Sequence, residues 1–305
     1  MTWHTPVDGL HVPLITPFTA EGAVAAGALE ALARAALDAG ATGLVALGTT
    51  GESAVLDADE RRTVVEVCAR VCEERGAHLT VGAGSNDTRA GERALAGLAG
   101  TGASAALVTV PAFTRPSEEG VVAHFTRLAA ACPVPLIVYH IPYRTGLPLS
   151  VDALRALARI PGVAAVKYAP GAITQDTMEL LGDPVPGFSV LAGDDVFVSP
   201  LLALGASGAI LASAHLATGR FAELASAWRS GDTVRARDLG HALARMSAAL
   251  FREPNPAVVK GVLHERGLIP TAGVRLPLLP ARPDSVSRAL RLLTEVEGTG
   301  TGTAV

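Results

Sequence analysis

The sequence predicts a (β/α)8 TIM barrel, an α/β fold, carrying additional C-terminal helices, and three observations point there. Eight short apolar runs alternate with longer helical patterns over roughly the first two thirds of the chain. The runs are rich in Val, Leu, Ile and Ala without polar alternation, as in strands buried on both faces of a parallel sheet. After Ser213 the pattern becomes all-helical. Strands alternating with helices build a parallel α/β architecture, and eight such units close a barrel.

The expected strands are His11–Pro17, Gly43–Gly48, Leu79–Gly84, Ala105–Val110, Leu136–Ile141, Val163–Lys167, Val190–Gly193 and Gly208–Ser213. Between them, Ala25–Ala39 places Leu29, Leu32, Ala33, Ala36 and Leu37 at helical spacing. Asp57–Arg75 opens with Asp57 and, three residues on, Glu60, the spacing of a capping box. Further helical patterns cover Thr88–Thr101, Ser117–Ala131, Ser150–Arg159, Asp176–Leu181 and Phe197–Leu204. Gly40, Gly76, Gly102 and Gly205 follow helices at the C-cap position. The last helices are expected over Thr218–Arg229, Asp232–Phe251, Pro256–Arg266 and Asp284–Glu297, the middle two packed beside the barrel. Barrel over residues 1–215, helical region over 216–297 and a small polar tail over 298–305, expected to be disordered, make up the chain. An open doubly wound sheet is the alternative. GAGSND (Gly82–Asp87) begins like a dinucleotide fingerprint but lacks its third glycine.

Composition narrows the function. The 305 residues are 49% hydrophobic and 18% charged, which supports a large core and argues against disorder. Net charge is −4 with no basic block, so nothing suggests nucleic acid. Three cysteines argue for a reducing compartment, and Cys68 and Cys72 share a helical face as core residues. The N-terminus lacks the pattern of a signal peptide, and no run of 18 apolar residues is present. The expectation is a soluble cytoplasmic protein.

In such a barrel the chemistry lies at the C-terminal ends of the strands. The sixth run, in VAAVKYAPG (Val163–Gly171), closes on Lys167, and the only other lysine is Lys260. Desolvation lowers the pKa of an ammonium and makes it a usable amine nucleophile. Gly48–Ser53 (GTTGES) offers the hydroxyls of Thr49 and Thr50 and backbone N–H groups suited to a small carboxylate. Tyr139–Gly146 (YHIPYRTG) offers a phenol at a strand end and the Arg144 guanidinium, able to grip a carboxylate. Each residue also has an ordinary reading: Tyr139 in the core, the threonines in a turn, Arg144 in a surface ion pair. Together they suggest amine catalysis on a keto acid, the imine acting as electron sink and the phenol moving protons.

With these motifs, the chain resembles the dihydrodipicolinate synthase / N-acetylneuraminate lyase family of class I Schiff-base aldolases. The resemblance runs from about Gly9 to Pro280. It rests on GTTGES, YHIPYRTG, VKYAPG, LAGDD (Leu191–Asp195) and FREPNPAVVKGVLHERGL (Phe251–Leu268). It implies that Lys167 forms an imine with pyruvate, that Tyr139 is the general acid/base, and that Thr49 joins the proton relay. Thr49 and Thr50 would bind the pyruvate carboxylate, Arg144 the carboxylate of a second substrate. Gly193 and Ile210 would line the pocket. The resemblance also implies a homotetramer built as a dimer of dimers, with no metal and no cofactor beyond the covalent imine. The best match in activity is condensation of pyruvate with aspartate semialdehyde.

The chain departs from the family at a few points. Phe113 stands where the synthases carry a relay tyrosine donated across an interface, and Ala112 precedes it. Lysine feedback is therefore not expected. Phe113, His140 and Tyr168 are candidate pocket or interface residues, Tyr168 lying near the pocket wall or in the barrel packing. Asp194 and Asp195 are expected to cap the following helix, and Lys260 to be structural. The eight histidines show no metal-ligand spacing. Two other functions stay open: an aldolase or dehydratase acting on a 2-keto-3-deoxy sugar acid, and a barrel that binds a keto acid without turnover.

Overall fold

The computed structural model describes residues 7–298, so the tail expected over 298–305 lies, past Gly298, outside the described residues. Eight strands form a closed, all-parallel barrel in sequence order: β1 (Gly9–Pro13), β2 (Gly43–Ala46), β3 (His78–Gly82), β4 (Ala105–Thr109), β5 (Leu136–His140), β6 (Val163–Tyr168), β7 (Ser189–Ala192) and β8 (Gly208–Ile210). The helices are α1 (Ala26–Asp38), α2 (Ala58–Arg75), α3 (Thr88–Ala96), α4 (Glu118–Ala131), α5 (Pro142–Thr145), α6 (Val151–Ala158), α7 (Gln175–Gly182) and α8 (Val198–Ala203). After β8 come α9 (Ala214–Ser230), α10 (Thr233–Leu250), α11 (Ala257–Glu265) and α12 (Pro283–Gly298). Among them no helix is long and apolar enough to cross a membrane.

Several expected strands overran their ends. The first, expected over His11–Pro17, is Gly9–Pro13, and the last stops at Ile210 rather than Ser213. The cause is that burial outlasts pairing: Leu14 N–H makes the last bond to β2, on Val45 O, and Ile15 beyond it is still buried in irregular backbone. An apolar run therefore marks the core, not the last hydrogen-bonded pair. The third helix likewise stops at Ala96, with Gly97 as its C-cap, instead of Thr101.

Local chemistry accounts for the clear boundaries. Asp57 and Glu60 form the expected capping box at the start of α2, and Gly76 closes that helix in the left-handed conformation. Ser117 and Ser150 cap α4 and α6 with their hydroxyls. Cys68 and Cys72 lie buried on one face of α2 as free thiols.

Side-chain alternation divides the core in two. One set points into the barrel: Val45, Leu107, Ile137, Tyr139, Ala165, Leu191 and Ile210. The other, including Val138, Val166, Tyr168 and Ala192, points outward into the jacket of helices. Beyond the barrel, α9 packs on β1, and α10 and α11 pack against α9 and α12.

Closure depends on a close backbone approach. Gly208 pairs with Gly9 across the β8–β1 seam, and a Cβ on Gly208 would lie 2.2 Å from the Gly9 carbonyl oxygen. Gly208→Ala is expected to lower stability by about 3 kcal/mol, read as an earlier urea midpoint with unchanged slope. An unchanged midpoint would show that the seam is not under this constraint.

Candidate active site

Lys167 occupies an inward position of β6, between Ala165 and Ala169, and is 6% exposed. Its register partner on β5 is Tyr139, and the ammonium lies 4.2 Å from the centroid of that ring. Gly193 makes room for the lysine stem, since a Cβ there would fall 2.9 Å from Lys167 Cγ. Burial pulls the amine down to about 8; Asp195 and Asp194 oppose that, and Arg144 adds to it. At pH 7 such an amine is neutral about 300 times more often than an ordinary lysine. Burial moves the Tyr139 phenol the other way, well above its usual value, so it is protonated at neutral pH.

The turn after β2 brings the hydroxyl pair. Thr49–Gly51 forms one 3₁₀ turn, bracketed by Leu47 (φ 56°) and Glu52 (φ 52°) in the left-handed region. Non-glycine residues there cost roughly 1–2 kcal/mol each, so the turn is strained and must be held. Thr49 is exposed and Thr50 buried. Thr50 Oγ1 accepts a hydrogen bond from Asn255 Nδ2 at 2.9 Å, which leaves the hydroxyl proton to donate to a ligand. On α5, Arg144 Nε donates to Tyr143 Oη at 3.0 Å, and the guanidinium carbon lies 5.3 Å from the Tyr143 ring centroid.

These groups surround a cavity of about 330 Å³, a size suited to a small ligand. Thr49, Thr50, Tyr139, Arg144, Lys167, Gly193 and Ile210 all line it. So do Asp194, Asp195, Phe197, Phe251 and Asn255, none of which the sequence reading assigned to the pocket. Asn255 arrives from the loop before α11, and only the FREPNP segment as a whole hinted at that region. Tyr139 and Thr49 also border a larger cavity, about 1020 Å³, that reaches toward Ala112 and the groove beside α2.

The structure narrows two expectations and corrects a third. His140 and Tyr168 do not line the pocket. They are the outward neighbours of Tyr139 and Lys167, stacked on each other with centroids 5.8 Å apart, and the Tyr168 hydroxyl meets Thr177 at 3.3 Å. Alternation along a strand sends adjacent residues to opposite faces. Phe113 is not in the pocket either; it is 90% exposed, with a φ of 64°. Asp194 and Asp195 do not cap a helix with their side chains. Asp194 Oδ2 accepts from Gly171 N at 2.7 Å and Asp195 Oδ1 from Ser213 N at 2.5 Å, fixing the loops beyond β6 and β8. Burial pushes the Asp195 carboxyl up to about 6, against the pull of its Ser213 hydrogen bond and Lys167. Among the described residues no group of three or more His, Cys, Asp or Glu is placed to hold a metal ion.

The sequence profile of the dihydrodipicolinate synthetase family matches residues 6–296. The chain is 37% identical to 4-hydroxy-tetrahydrodipicolinate synthase of Nitratidesulfovibrio vulgaris, covering 94% of this chain and 97% of that protein. Among solved structures it is similar to the chloride-inhibited dihydrodipicolinate synthase from Acinetobacter baumannii complexed with pyruvate, with a TM-score of 0.90, 33% identity and coverage of 95% and 99%. A structure titled as the first monomeric dihydrodipicolinate synthase variant also has a TM-score of 0.90, at 28% identity, covering 95% of this chain and 97% of that one.

Two outcomes follow from the lysine's surroundings. Burial favours the neutral amine, so the proton leaves as pH rises through about 8. Modification of Lys167 by a small acylating reagent, followed by peptide mass, should level off above about pH 8 instead of climbing toward 10. Gly193→Ala, which pushes on the lysine stem, should cut that rate about tenfold or more while far-UV circular dichroism stays native. A wild-type rate in this variant would show that the stem has room to spare.

Proposed function

The chain belongs to the dihydrodipicolinate synthetase family, and from that premise we propose that it is a pyruvate-dependent Schiff-base lyase. The activity we assign is that of 4-hydroxy-tetrahydrodipicolinate synthase, condensing pyruvate with aspartate semialdehyde. The observation that carries the reading is a lysine buried in a barrel mouth against a protonated tyrosine, in a cavity that also holds two threonine hydroxyls and an arginine. The relatives' names and the pyruvate complex of a similar structure support the choice of keto acid.

The neutral amine of Lys167 attacks C2 of the keto acid, and the carbonyl electron pair moves to oxygen. Tyr139, protonated at neutral pH, is suited to give that oxygen one proton and the adduct nitrogen gives it the other, so it leaves as water and a protonated imine forms beside the Tyr139 phenolate. That phenolate takes a C3 proton, sending electrons toward the imine nitrogen, and the resulting enamine carbon bonds to the aldehyde carbon of the second substrate, whose oxygen takes the proton back from Tyr139. Thr50 has its proton free for the keto-acid carboxylate, because its oxygen is already committed to Asn255. Arg144, with Nε on Tyr143, keeps its two Nη groups for the second substrate's carboxylate. Every step uses the chain's own side chains, so the proposal includes no cofactor.

The homotetramer implied by the resemblance belongs to the same proposal, as does a cytoplasmic location. Phe113, exposed at a loop tip, is the kind of residue an interface covers. One similar structure is titled as a monomeric variant, so light scattering across a dilution series is the appropriate check. Phe113 also favours a second reading, a 2-keto-3-deoxy sugar acid aldolase or dehydratase, because it cannot supply a relay hydroxyl. If aspartate semialdehyde is the substrate, Phe113→Tyr should change its turnover little; a strong gain would favour the sugar-acid reading.

The direct test is borohydride trapping with pyruvate, read by intact mass and peptide mapping. An adduct on Lys167 and not Lys260, abolished by Lys167→Ala, is expected. A folded protein that yields no adduct would overturn the reading. Arg144→Ala should leave the pyruvate adduct intact and raise the KM for the aldehyde about tenfold or more.

A further inference from the structure

The chain's second lysine, Lys260 on α11, is fully buried and lies outside the catalytic step. Its Nζ donates to Glu52 Oε1 at 2.5 Å and to the Gly273 carbonyl at 2.8 Å, and it sits 4.0 Å from the centroid of the Phe18 ring. An ammonium has three hydrogens, and here each has a partner: a carboxylate, a carbonyl and an aromatic face. The other Glu52 oxygen, Oε2, accepts from Arg275 N at 2.9 Å. Arg275 in turn binds Glu60 with both arms of its guanidinium and the Val55 carbonyl at 2.9 Å.

Glu52 is the left-handed residue that ends the Thr49–Gly51 turn. Its side chain is 2% exposed, so its charge has no solvent to rely on and is held by Lys260 and Arg275. A second tie runs between the same two regions, from Asn255 to Thr50. The strained turn is thus clamped by the C-terminal helical region, and both ties end within three residues of the hydroxyls that face the cavity.

We propose that Lys260 and Glu52 are positioning residues. Their buried ion pair sets the backbone N–H groups and hydroxyls of Thr49 and Thr50 for the keto-acid carboxylate, coupling the C-terminal helices to substrate affinity. The inference rests on the keto-acid reading above. It predicts a selective effect: the keto acid loses affinity while the second substrate, gripped at Arg144 on α5, does not.

Lys260→Met removes the clamp but strands the Glu52 charge, so Glu52→Gln with Lys260→Met is made alongside it, leaving no lone charge buried. Both are assayed as full chains well below their melting temperatures. The pyruvate concentration for half-maximal borohydride trapping at Lys167 should rise tenfold or more in both variants, with the aldehyde KM within twofold of wild type. A merely structural pair would lower the melting temperature and leave both constants alone, and that result would overturn the inference. So would loss of folding in both variants, since Lys260 would then be a folding residue. Wild-type protein that traps no pyruvate would sink the keto-acid reading and this inference with it. Normal wild-type trapping with unchanged variants would sink this inference alone.

Discussion

The site depends on the removal of water from one ammonium group. Holding Lys167 inside the barrel costs its charged form about 3 kcal/mol relative to solvent. That desolvation brings the share of neutral amine at pH 7 to about a tenth, far above that of a solvated lysine. The same dry interior keeps the Tyr139 phenol protonated and raises the Asp195 carboxyl to about 6. One environment therefore brings the amine closer to neutrality while it keeps the phenol protonated, the pairing that the proposed imine formation uses. The two aspartates moderate the effect, because their negative charge favours the ammonium. Their hydrogen bonds to Gly171 and Ser213 fix where that charge sits.

Strand periodicity delivers this arrangement. Tyr139 and Lys167 are register partners on neighbouring strands and share the inward face, so the phenol and the amine meet across the ladder. The small residues Ala165 and Ala169, with Gly193 alongside, leave the lysine stem a channel among larger inward neighbours. A shift of one residue in either strand would bring His140 or Tyr168 inward and expel the chemistry into the helical jacket.

Much of this was legible in the sequence, and the limits have physical causes. Eight apolar runs separated by helical patterns were enough for the barrel, because strands buried on both faces have no other composition. A lysine closing such a run was enough to flag an amine, because burial of that group is costly unless it is used or paired. Strand ends were not legible, since burial continues into Ile15 after pairing stops. His140 and Tyr168 were left between pocket and packing, because adjacency in sequence does not by itself say which face of a strand a residue takes. The ties from Asn255 to Thr50 and from Lys260 to Glu52 span 205 and 208 residues. No local pattern encodes a contact at that separation; it exists only once the C-terminal helices dock.

The partition of basic residues fits the same logic. Of 25 basic side chains only two are lysine, and both are buried. Arginines serve the surface, where Arg70 and Arg34 join α2 to α1 and Arg127 joins α4 to α3 through glutamates. A guanidinium suits that work, since it pairs with carboxylates through a planar fork and stays charged at any accessible pH. Inside, permanence of charge becomes a liability. In the proposed mechanism Lys167 sheds its proton to act, which arginine cannot do. Lys260 must satisfy three partners converging from different directions, which a compact, rotatable ammonium does and a planar fork does not. The chain thus keeps its tunable cation for the two interior positions where either its proton or its shape is needed.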